Sequence, residues 1–185
     1  MNLGKALVCT GIFLFGITTW AVDPRGRIDI CGEKNTLIAP GISPEGGSLS
    51  NPNGQIVYSQ GNALIDEKWE NYKFSFIPQT DGAVYILLKA IYFVKEGEEK
   101  STSIWVRWDD VNVDGASLVN GDFEKADING KLEGWNTNPH NYIDEEGNKC
   151  VRVCHDSYAV QRIAVTKGRE VTITAKVKRD KTEGR

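Results

Sequence analysis

Apolar and polar residues alternate with a period of two along much of this chain. Phe74 and Phe76 are set against Lys73 and Ser75, and similar alternation recurs over residues 103–113, 150–154, 158–165 and 170–177. A period of two sends successive side chains to opposite faces of a strand, so each stretch predicts a strand with one buried face. Residues 84–94 form a longer apolar run, rich in β-branched and aromatic residues, that predicts a further strand. Clusters of Gly, Asn, Asp and Pro separate the stretches, and Thr80-Asp81-Gly82 reads as a tight turn between two of them. Almost nothing has helical period. The pattern therefore predicts an all-β fold, an antiparallel β-sandwich or jelly roll. Residues 32–55 break it with Pro40, Pro44, Pro52 and several glycines, which predicts a long irregular loop.

Residues 1–21 stand apart. Lys5 precedes a mostly apolar, uncharged stretch that ends at Thr19-Trp20-Ala21, an acceptable cleavage pattern. This predicts a secretory signal peptide, a secreted chain (extracellular or periplasmic) and no membrane attachment once it is cleaved. The apolar stretch is shorter than the roughly 20 residues that span a bilayer. Residues 22–185 remain, enough for one domain and marginal for two. Without Lys5 the chain keeps 21 basic and 25 acidic residues, and no basic stripe stands out, so nucleic acid is not an expected partner.

Export implies an oxidising compartment, and the mature chain keeps Cys31, Cys150 and Cys154. Cys150 and Cys154 on one strand lie roughly 13 Å apart, too far to bridge. An internal disulfide would join Cys31 to one of them; the alternative is three free buried thiols.

The strands carry a recognisable order. Asn120-Gly121-Asp122-Phe123-Glu124, then Gly134-Trp135, Cys150-Val151-Arg152-Val153, Gln161-Arg162-Ile163 and the strand beginning Glu170-Val171-Thr172 resemble the opening half of carbohydrate-binding modules of the family 4/9/22 type, which are galactose-binding-like jelly rolls. Trp69-Glu70-Asn71-Tyr72-Lys73-Phe74, Asp81-Gly82-Ala83-Val84-Tyr85 and Trp108-Asp109-Asp110-Val111 resemble the closing half. The closing half (22–118) precedes the opening half (119–185). Either each half belongs to a different module of a tandem array, or the chain is a circularly permuted, composite single domain. Compactness favours the second, because half a sandwich exposes an apolar sheet face and open edges. In that arrangement residues 171–178 are expected to run near residues 26–32.

The resemblance implies a noncatalytic carbohydrate-binding protein whose partner is a polysaccharide or oligosaccharide, associated with glycan-degrading enzymes. A structural or adhesion module without a sugar site, and a fragment of a larger glycoside hydrolase, are the alternatives. Sugar binding needs aromatic faces beside polar groups. Trp105 and Arg107 share the strand face opposite Ile104, Val106 and Trp108, which makes them the first candidates. Arg152, Tyr158 and Gln161 extend the candidate surface. The resemblance places Trp69 in the core, and Trp135 is assigned to core packing. Asp109, Asp110, Asp122 and Glu124 bring several hard oxygen donors close in sequence near the junction. The resemblance implies a structural Ca²⁺ near the first and last strands, with Asp110 and Glu124 at the motif positions and Asp122 added from the acidic cluster. Catalysis finds no motif: Asp109 and Asp110 are adjacent, so alternation sends them to opposite faces. Zinc at Cys150, Cys154 and His155 lacks the usual spacing and a fourth ligand.

Overall fold

The computed structural model describes residues 26–33, 35–40, 49–50, 55–59, 68–90, 104–145 and 147–180. The signal-peptide assignment lies outside these residues, as do Trp20 and positions 91–94 of the long apolar run. Eleven strands are described: β1 Gly26–Gly32, β2 Ile38–Pro40, β3 Leu49–Ser50, β4 Ile56–Tyr58, β5 Glu70–Pro78, β6 Gly82–Ala90, β7 Val106–Asp114, β8 Tyr142–Glu145, β9 Asn148–Val153, β10 Ala159–Val165 and β11 Val171–Arg179. They form two antiparallel sheets, the smaller ordered β10-β6-β1-β4-β3 and the larger β2-β5-β11-β7-β9-β8. The fold is an all-β sandwich.

Strands from both sides of residue 118 share both sheets. In the smaller sheet β10 pairs with β6 over seven positions, from Ala159↔Leu88 to Val165↔Gly82. In the larger, β11 lies between β5 and β7, and β9 continues the sheet beyond β7. Residues 26–118 and 119–180 thus contribute to the same ladders in both sheets. β11 does not pair with β1, however. The two lie in opposite sheets and approach across the interior, where a Cβ on Gly26 would stand 2.8 Å from the Val177 side chain.

The inward positions of each strand are the apolar ones. Ile28, Ile30, Phe76, Val84, Ile86, Leu88, Val106, Trp108, Val151, Ile173 and Val177 are fully buried. Burying each such side chain stabilises the fold by roughly 1.5–3 kcal/mol. Tyr72 meets Trp108 edge-on at 5.1 Å between ring centroids. The Tyr72 hydroxyl is paired with the Ser59 hydroxyl, so its polar tip is satisfied inside the core.

Three departures from the pattern have physical causes. The expected irregular loop contains β2 and β3; both are too short to show periodicity. The turn at residues 79–81 does not close a hairpin: β5 and β6 belong to different sheets, so it carries the chain across the sandwich. Finally, β7 contains a β-bulge. Lys176 pairs with Asp109 and Thr174 with Asn112, so Asp110 and Val111 together oppose Ala175. Asp110 adopts φ +48°. An inserted residue reverses the alternation: Val106 and Trp108 face inward before it, Val111 after it.

Candidate functional site

The outer face of the larger sheet is set by register. Alternation places Asn71, Lys73 and Ser75 of β5 outward, beside Lys176, Thr174 and Thr172 of β11. On β7, Arg107 lies beside Lys178 and Asn112 beside Thr174, and on β9 Arg152 lies beside Arg107. A groove of about 640 Å³ runs over this face, lined by Asn71, Tyr72, Lys73, Asp110, Asn112, Thr174, Ala175 and Lys176. Tyr72 and Ala175 in its lining are core residues, and the outward residues around them offer amide, hydroxyl, ammonium and carboxylate groups.

The bulge in β7 shapes this groove. The amide of Asp110 bonds to the Asp109 carboxylate at 2.7 Å, and Asn148 donates to the other Asp109 oxygen at 3.1 Å. Asp109 is nearly buried, and desolvation is the main cause that pushes its carboxyl above the usual range. Asp110 pairs with Lys176 at 2.7 Å. The two aspartates therefore do not face opposite ways as strict alternation predicts. Lys176 pairs with Asp109 in register and with Asp110 through its ammonium, so both carboxylates belong to its side of the sheet.

Beyond the groove's lining, the next outward residue of β11 is Lys178, whose ammonium lies 4.7 Å from the ring centroid of Trp69, the residue two before Asn71. Trp69 is half-buried on the outer side, not in the core as the resemblance implies. Next along the same row comes an ionic cluster. The Asp180 side chain is 1% exposed; it accepts from Arg107 at 3.0 Å and pairs with Arg152. The Arg152 guanidinium lies 4.1 Å from the Trp105 ring centroid. The Asp180 amide donates to the Trp105 carbonyl at 3.0 Å, which fixes the chain where β11 ends. Three of the candidate residues, Trp105, Arg107 and Arg152, are thus brought together. The indole N–H of Trp105 is buried and has no partner among the described residues.

The other two candidates lie elsewhere. Tyr158 precedes β10 on the smaller sheet, with the Lys89 ammonium 4.9 Å from its ring centroid. Gln161 faces inward and is 5% exposed; its amide accepts from the Val119 N–H at 2.7 Å and donates to the Val119 carbonyl at 2.8 Å. Alternation explains both placements. Tyr158 and Gln161 differ by an odd number of positions, so a single strand cannot present them on one face.

Gln161 instead tethers the segment that holds Asp122 and Glu124. There the Asn120 side-chain amide donates to the carbonyls of Lys125 and Glu133, and the Asn120 main-chain carbonyl accepts from the Trp135 indole at 2.9 Å. A Cβ on Gly121 would stand 1.8 Å from the Val111 carbonyl oxygen, so this close approach requires glycine. Phe123 and Trp135 are buried against each other, with ring centroids 5.3 Å apart. The Asn-Gly-Asp-Phe-Glu motif is therefore a structural clasp.

The three expected Ca²⁺ ligands are not gathered. Asp110 pairs with Lys176, Glu124 with Lys149 at 3.1 Å, and Asp122 accepts from the Glu124 amide. Among the described residues no group of three or more His, Cys, Asp or Glu side chains is placed to hold a metal ion. Cys31, Cys150 and Cys154 form no disulfide among the described residues. Cys31 lies on the smaller sheet and the other two on or beside β9 in the larger, so neither joins it.

Asn71, Lys73, Asn112, Thr174, Lys176 and Asp180 were not singled out from the sequence. The outward half of the alternation in β5 and β11 already carries the groove residues. Asp180 gave no signal, because it follows its strand and sits in a polar tail. No family model, curated protein or solved structure matches this chain.

Proposed function

We propose that this chain is an exported, noncatalytic carbohydrate-binding domain that holds polysaccharide across the outer face of its larger sheet. It is a circularly permuted composite in which the two halves form one unit. The observation that carries this reading is the groove beside Trp69, with Trp105 further along the same face. A flat ring packs against the C–H face of a pyranose, while amides and hydroxyls meet its edge. Binding of this kind raises the local concentration of a linked or partner enzyme at its substrate.

A specific observation favours the second reading, a structural module without a sugar site. Arg107 and Arg152 are committed to Asp180, and Gln161 to the Val119 backbone, so three of the expected contact residues already have partners. Affinity electrophoresis on gels containing different polysaccharides separates the readings. The wild-type chain is expected to be retarded by at least one gel, and Trp69→Ala to lose about tenfold or more in affinity. Retardation by none of the gels supports the structural module. Retardation unchanged in both Trp69→Ala and Trp105→Ala places the ligand on another surface.

A further inference from the structure

The groove carries more charge than a neutral sugar requires. Lys73 and Lys176 line it, and Lys178 stands in the next row of β11; Asp110 is the one carboxylate in its lining. This local positive excess stands against a whole-chain formal charge of −3. Asp110 holds Lys176 at 2.7 Å and raises its ammonium above the ordinary range. Lys73 is exposed and forms no ion pair among the described residues. Successive outward positions on a strand lie roughly 6–7 Å apart, and neighbouring strands about 4.8 Å apart, so the lysines form a ladder on the scale of single sugar rings. An ammonium is a compact, strongly hydrated point charge suited to a carboxylate or phosphate. Asn71, Asn112 and Thr174, interleaved with the lysines, offer both donors and acceptors, which suits ring hydroxyls.

Resting on the carbohydrate-binding reading, we infer that the ligand class is a polyuronate: an acidic polysaccharide whose carboxylates pair with Lys73 and Lys176 while its hydroxyls bond to Asn71, Asn112 and Thr174. A nucleic acid is the weaker fit. The groove lacks arginine, and the chain is acidic overall, so phosphate attraction over a longer surface is absent.

The experiment compares polygalacturonate with the same polymer fully methyl-esterified, which keeps the rings and removes the charge. Xylan, a neutral β-glucan and single-stranded DNA complete the panel. The full chain is titrated by calorimetry at two salt concentrations. Polygalacturonate is expected to bind, to weaken with salt, and to lose about tenfold on esterification. Lys73→Gln combined with Lys176→Gln should lose about tenfold as well, the effect of removing two exposed ion pairs. Circular dichroism melts check that the double variant folds; Lys73→Glu, a single surface change, serves if it does not. Equal binding of free and esterified polymer overturns the acidic preference and leaves carbohydrate binding standing, as does binding confined to xylan or β-glucan. DNA binding as tight as polygalacturonate binding, and equally sensitive to Lys73, overturns it in favour of a general polyanion surface. Binding to no member of the panel overturns both readings.

Discussion

The two outer faces of the sandwich share one device and use it differently. On the larger sheet, Asp180 is held by Arg107 and Arg152, and Arg152 stacks on Trp105. On the smaller sheet, Asp29 is held by Arg27 at 2.7 Å with Lys89 at 3.9 Å. There Arg27 lies 5.1 Å from the Tyr58 ring centroid and Lys89 lies 4.9 Å from that of Tyr158. Each nearly buried aspartate thus carries two cations, and aromatic rings support them. What surrounds the clusters differs. Beyond Asp180 the outward positions are Lys176, Thr174, Asn71 and Lys73, a polar groove. Around Asp29 they are Cys31, Tyr85, Leu87 and Val160, all half-buried. A strand that is apolar on both faces is covered on both, whereas clean alternation leaves one face to water. The larger sheet therefore offers the open surface.

The largest expected effect separates the two clusters. Asp180→Asn takes the buried carboxylate away from two guanidiniums, which cannot shed their charge, in a poorly solvated place. The expected loss is about 3–5 kcal/mol, read from urea unfolding. Asp29→Asn is expected to cost no more than about 1 kcal/mol. Desolvation already outweighs Arg27 and Lys89 there and holds the Asp29 carboxyl above its usual range. Equal losses would break the distinction between the clusters.

The pH dependence of the smaller-sheet cluster follows from the same direction. A carboxyl with a raised folded pKa keeps its proton to higher pH than in the unfolded chain. The folded state then binds more protons, so this contribution to stability falls as pH rises from the ordinary 3.8 through the raised value. Asp29→Asn removes it. The melting-temperature difference between wild type and Asp29→Asn should therefore move in favour of wild type as the pH is lowered through that interval. A difference that stays constant with pH contradicts desolvation as the dominant influence on Asp29.

An intermediate effect is expected at Trp105. Trp105→Ala removes the ring beneath Arg152 and exposes one side of the Asp180 cluster. Loss of the stack and of part-buried aromatic area should cost about 1–2 kcal/mol. Trp105→Phe, which keeps a ring and part of the area, should recover roughly half of it; no recovery would assign the loss to a contact that only the indole makes.

How far the sequence reaches differs between these faces for local reasons. Period two identified β5, β7, β9, β10 and β11 because each has a dry face and a wet face. By the same rule Arg107 is placed on the outer side of β7, where it lies beside Arg152, and Trp105, just before that strand, meets Arg152. The rule failed at Asp110, because a bulge is a single inserted residue that leaves no signature in the pattern. It also missed β2, β3, β4 and β8, which are too short to display a period. Tyr158 and Gln161 were joined to the candidate surface by proximity in sequence, although Gln161 is an inward residue that serves a backbone clasp. Asp180 shows the firmest limit. Its partners lie 73 residues away at Arg107 and further along the chain at Arg152, and only sheet order brings them together.

The smallest effect is the sharpest test of the groove as a surface kept for a ligand. Lys73 is exposed, makes no ion pair among the described residues, and borders Thr174. A residue retained for the fold loses stability when neutralised; one that contacts only water does not. Lys73→Gln keeps the length and polarity of the side chain and removes its charge, so unfolding free energy should stay within about 0.5 kcal/mol of wild type. Lys89→Gln, on the smaller sheet, should cost more, because its ammonium faces both Asp29 and the Tyr158 ring. If the order of these two losses is reversed, the groove lysine belongs to the architecture and the open face loses its claim to a partner.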